Sequence, residues 1–92
     1  MQPQEIEKAI ASKEGCVCSF SHAVNVTEKF KGQTVWDGSV LVYNLSGHKA
    51  KHCYAWVDPS NNQLVTVLEF YPVQSPETAV RAYIASRAKP KL

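Results

Sequence analysis

From Val35 to Tyr71 the apolar residues do not alternate cleanly with polar ones. Val35, Trp36, Val40, Leu41, Val42 and Tyr43 are followed by Cys53 to Val57, then Leu64 to Leu68, then Phe70 and Tyr71. Runs of this kind mark β-structure buried on both faces rather than on one. Outside them only two stretches carry helical spacing, and two helices usually cover one face of a small sheet. The pattern therefore predicts a sheet whose second face meets another chain or a ligand.

The remaining composition sets bounds. With 92 residues, 45% hydrophobic and 20% charged, the chain suits one compact α+β domain over residues 1–92 with little surplus stability. A net charge of +2 argues against nucleic acid as a partner. No apolar run approaches the roughly 18 residues that a membrane span needs. The residues Met1 to Ile10 carry acids where a leader would carry bases, which points to a cytoplasmic protein. Three cysteines, two of them separated by Val17 alone, do not make a secreted disulfide scaffold.

Ile6, Ala9 and Ile10 lie at helical spacing, with Pro3 suited to a first turn and Gly15 to a stop, so a short helix is expected over 4–13. The first strand is expected over 16–27 with Cys16, Cys18, Phe20, His22, Val24 and Val26 all facing one core; its half-polar character suits a sheet edge. Residues 28–33 read as a turn in which Gly32 takes positive φ. A second strand follows over 34–45, with Asp37-Gly38 as a candidate bulge. A third runs over 52–57 and a fourth over 63–71, joined by the turn Asp58 to Asn62. Setting Asp58 opposite Gln63 pairs Trp56 with Val65, Tyr54 with Val67 and His52 with Glu69 on one face. Ser75, Pro76 and Glu77 form a helix start, and the helix continues to about residue 88 before Pro90, leaving a frayed basic tail over 89–92. The predicted fold is a two-layer α+β domain: a four-stranded antiparallel meander between an N-terminal and a C-terminal helix.

Four such strands present a face of roughly 300 Å². Two such faces brought together would contribute on the order of 15 kcal/mol gross, against about 4–15 for association. The leading expectation is thus a homodimeric interaction or adaptor module that associates through an aromatic face of Trp36, Tyr54, Trp56, Val65, Val67 and Tyr71. The alternative is that the same aromatics line a pocket for a small apolar or aromatic ligand.

Chemistry is thinner. Cys16, Cys18, His22, His48, His52 and Cys53 include zinc-type donors, but they lack ligand spacing, so neither a metal nor a cofactor is expected. His48, His52, Cys53 and Glu69 are the weak catalytic candidates. Adjacent His52 and Cys53 project to opposite faces of a strand, whereas Glu69 can orient His52 across it. A satisfied polar pair at the sheet rim is the favoured reading of that couple over a catalytic one.

The run Trp36-Asp37-Gly38, Val40, Val42, Leu45, Gly47-His48, then Cys53-Tyr54-Ala55-Trp56, then Tyr71-Pro72-Val73, Ser75-Pro76 and Ala79 to Ala82 resembles a group of small uncharacterised bacterial proteins, some carried on integron gene cassettes. The likeness covers roughly residues 30 to 85. It implies a bacterial, mobile-element origin and a complete small protein, and it brings no activity or functional residues with it.

Overall fold

Local chemistry accounts for the helix ends. In the computed structural model, which describes residues 2–88, α1 spans Pro3–Glu14. Glu5 Oε1 accepts the free Gln2 N–H at 3.0 Å, and Gly15 closes the helix at φ +63°, donating to Ala11 O. Helix α2 spans Pro76–Ala88, where the Ser75 hydroxyl accepts the Thr78 N–H at 3.2 Å.

Between the helices lie β1 (Val17–Phe30), β2 (Gln33–Ser46), β3 (His52–Asp58) and β4 (Gln63–Leu68), paired in sequence order in one antiparallel sheet. This is the α+β helix–meander–helix order expected from the sequence. The β3–β4 register is also the expected one, with Trp56 opposite Val65 and Tyr54 opposite Val67. Residues 28–30 and 33 extend the first hairpin beyond its predicted limits. Its turn shrinks to Lys31 and Gly32, both at positive φ, as a two-residue hairpin with right-handed strand twist requires. Strand β4 stops at Leu68 instead of Tyr71. Phe70 N–H turns back to Leu68 O and Val73 N–H to Phe70 O, so the chain leaves the sheet there and Tyr71 stands 86% exposed.

Two bulges decide which side chains face where. In β1, Phe20 opposes Tyr43 and His22 opposes Val42, which leaves Ser21 as an extra residue. One extra residue reverses the facing of everything beyond it. Cys18 and Phe20 therefore share a face with Tyr43 and Leu45, while Val24 and Val26 share the opposite face with Val40, and the single-core expectation for that parity is corrected. The second bulge falls at Val35, between the pairs Glu28–Trp36 and Lys29–Thr34, whereas Asp37 and Gly38 pair regularly. Gly38 serves another end: a Cβ there would meet the Trp36 indole at 3.2 Å.

Along β2 and β3 successive residues alternate between two clusters. Tyr43, Leu45, Cys53 and Ala55 pack with Ile6 and Ile10 of α1; Val40, Val42, Tyr54 and Trp56 pack with Ala79 and Val80 of α2. The helices thus lie on opposite faces and the sheet is the middle of three layers, where two layers were expected. The physical reason lies in the 69–75 connection, which carries α2 across to the face that α1 leaves free. Tyr54 and Trp56 are each only 3% exposed beneath α2, so the chain covers the surface from which the homodimer expectation drew its area. No helix among the described residues is long and apolar enough to cross a membrane.

Candidate functional site

Strand β2 pairs with β3 only from Leu41–Ala55 to Asn44–His52, although β2 begins at Gln33 and β3 continues to Asp58. The same register carried further would oppose Ser39 with Val57, and that pair does not form. The strands fork instead. A cleft of about 760 Å³ occupies the fork, walled by residues 35–39 of β2, residues 56–60 of β3 and its turn, and Tyr83, Ile84 and Arg87 of α2. Successive residues of a strand point to opposite faces, so five in a row on one wall mean that the cleft opens onto the strand's edge.

The inner wall is aromatic. Trp56 meets Trp36 edge to face at 5.5 Å and Tyr83 edge to face at 5.4 Å. The Trp56 indole N–H is buried and has no acceptor among the described residues, a deficit that costs about 1–3 kcal/mol in general.

The rim is polar and tied down. Asp58 accepts from Tyr83 Oη at 2.6 Å, from Ser60 Oγ at 2.7 Å and N–H at 2.9 Å, and from Arg87 at 3.1 Å. These bonds, the one from Tyr83 foremost, hold its carboxyl down at about 2, below the ordinary 3.8. A depressed folded value means that the stabilisation is complete above about pH 4 and is lost as pH falls from there towards about 2. Asp58→Asn is expected to flatten that limb of the stability curve while leaving its shape near neutrality, as measured by urea denaturation at stepped pH. A wild-type curve with an unchanged acid limb in the variant would remove Asp58 from the account.

A second polar constellation lies on the α2 face. His52 Nδ1 meets Glu69 Oε1 at 2.9 Å, and Tyr54 Oη donates to Glu69 Oε2 at 2.5 Å. The expected His52–Glu69 couple is therefore present, continued by Glu69 N–H to His52 O at 3.0 Å. Burial by itself would raise the Glu69 carboxyl, but the bonds from Tyr54 and His52 outweigh it and leave the group lowered. A carboxylate with both oxygens engaged orients a histidine, yet Glu69 does not line the cleft at the fork.

The other sequence candidates do not join it. Cys53 faces α1, and burial pushes its thiol up to about 12, which suppresses the thiolate a nucleophile needs. His48 is fixed in the β2–β3 turn: its Nδ1 accepts the Ala50 N–H at 2.9 Å, so the proton is on Nε2, which donates to Glu14 at 3.2 Å. No three His, Cys, Asp or Glu side chains assemble into a metal cradle among the described residues. Of the aromatic set, Trp36 and Trp56 come together in the cleft. Tyr54, Val65 and Val67 pack beneath α2, and Tyr71 stands apart.

No family model, curated protein or solved structure matches this chain. Asp58, Tyr83 and Arg87 are among the cleft residues that sequence reading missed. The only signal was the i, i+4 spacing of Tyr83 and Arg87, which puts both on one side of α2.

Proposed function

We propose that this protein is a binding module, not a catalyst, that takes an apolar or aromatic group into the cleft between β2 and β3. One observation carries the reading: the ladder stops at Leu41–Ala55, and the space it leaves is walled by Trp36 and Trp56. A cleft of this size, with an aromatic inner wall and a polar rim, suits a ligand of modest size that carries an apolar group. The unpaired Trp56 N–H supports the same reading, because an acceptor on the ligand would satisfy it. The bacterial, cassette-borne origin implied by the likeness over residues 30 to 85 is part of this proposal.

The chain contains two tryptophans, and both wall the cleft. Titration with p-cresol is expected to shift both indole N–H resonances saturably and to raise the melting temperature, with both effects lost in Trp36→Ala. Trp36 is the residue to remove because it is half-buried, whereas Trp56 is core. An absence of saturable shifts, or equal shifts in the variant, would end the proposal.

A further inference from the structure

Which backbone groups face the cleft follows from the ladder. Leu45 N–H donates to Lys51 O across the β2–β3 turn at 2.9 Å, so Leu45 points its peptide groups toward β3. In an antiparallel strand alternate residues point the same way, which assigns Tyr43, Leu41, Ser39 and Asp37 to the same edge. Tyr43 and Leu41 find Cys53 and Ala55; Ser39 and Asp37 have no strand opposite them among the described residues. Cross-strand side-chain bonds agree, because Ser39 Oγ reaches Asn25 Oδ1 and Thr27 Oγ1 reaches Asp37 Oδ1, each at 2.9 Å. Such side-chain contacts belong to pairs whose peptide groups point away from one another. Ser39 and Asp37 both wall the cleft.

We infer that the natural occupant of the fork is an extended polypeptide segment, which adds to the free edge of β2 through the N–H and C=O groups of Ser39 and Asp37 and sets one apolar side chain against Trp36. This rests on the binding-module reading and names its ligand class. A rigid small molecule would use the aromatic wall and leave the row of strand groups to water; a strand uses both. The Val35 bulge ends the available edge on one side and the Leu41–Ala55 pair ends it on the other, so the docked stretch is short. The apolar strip continues past Val35 and Ile84 into a second cleft of about 400 Å³ beside Phe30, which gives the guest's next outward side chain a seat.

Panning a displayed library of short random peptides against the full chain, then synthesising the recovered sequences with each amide N-methylated in turn, tests the inference. Methylation at alternate residues is expected to weaken binding about tenfold while the intervening positions tolerate it, and exchange of the Ser39 and Asp37 amides should slow on binding. Ser39→Pro removes an N–H that β1 does not use and should weaken the peptide about tenfold. If that variant fails to fold, the methylation series decides the matter unaided. Uniform tolerance of methylation, or protection elsewhere in the chain, overturns the inference. Recovery of no binder while p-cresol still shifts the tryptophan signals also overturns it and leaves the binding module standing. If p-cresol is silent as well, both fall.

Discussion

Trp56→Ala is expected to lower the unfolding free energy by about 3–5 kcal/mol, a large share of the roughly 5–15 that a domain of this kind holds. Trp56 lies in the α2 cluster, 3% exposed, with Trp36 against one side of its indole and Tyr83 against another. Removing it opens a void next to the cleft, and Val80 and Val40, both fully buried, cannot move to fill it without leaving their own contacts. Trp36→Ala should be much milder, because Trp36 is half-buried and the cleft already supplies open space beside it. Chemical denaturation of the two variants side by side checks the contrast. Similar losses in both would mean that Trp36 is as structural as its partner. Binding lost in Trp56→Ala by itself reports instability, which is why the cleft is probed through Trp36.

The contrast shows where the sequence was readable and where it was not. The β3–β4 register was legible because the turn from Asp58 to Asn62 sets which residues oppose, and a correct register brings His52 to Glu69 with no further information. Helix α2 was legible from Ser75 and Pro76, whose chemistry is local. The face that α2 covers was not legible, since Phe70 and Tyr71 have strand character and nothing in their composition reveals that the chain leaves the sheet at Leu68. Strand β1 misled for a similar reason: the alternation from Cys16 to Val26 is unbroken in sequence, and the extra residue at Ser21 shows itself only through what β2 places opposite. The fork is the most deeply hidden feature. Residues 35–39 and 56–57 read as strand and are strand, but the length of a ladder depends on how far two strands stay side by side, which neither segment encodes alone. The result is that Trp36 and Trp56 were legible only as members of an aromatic set with Tyr54, which lies beneath α2, while their partners Asp58, Tyr83 and Arg87 were not legible.

The opposite face leads to the second large effect. Ile6→Ala combined with Ile10→Ala is expected to leave the protein without cooperative thermal unfolding, or to remove most of its stability at room temperature. Each substitution of this kind costs about 2–5 kcal/mol. These two residues, each 1% exposed and one helical turn apart, are the only fully buried side chains that α1 places on the sheet among the described residues. Without them Cys18, Tyr43, Leu45, Cys53 and Ala55 would face a loosely held helix. Tyr43 would suffer most, since its hydroxyl reaches across to donate to Pro3 O at 2.9 Å and depends on α1 lying flat. Neighbouring sites in one cluster need not add, so the single variants are measured too. Each single variant should retain a cooperative transition, and the double should lose it. A double variant that melts within a few degrees of the wild type would show that the sheet needs no cover on that side. Three layers would then describe where the helices rest, but not what holds the sheet folded.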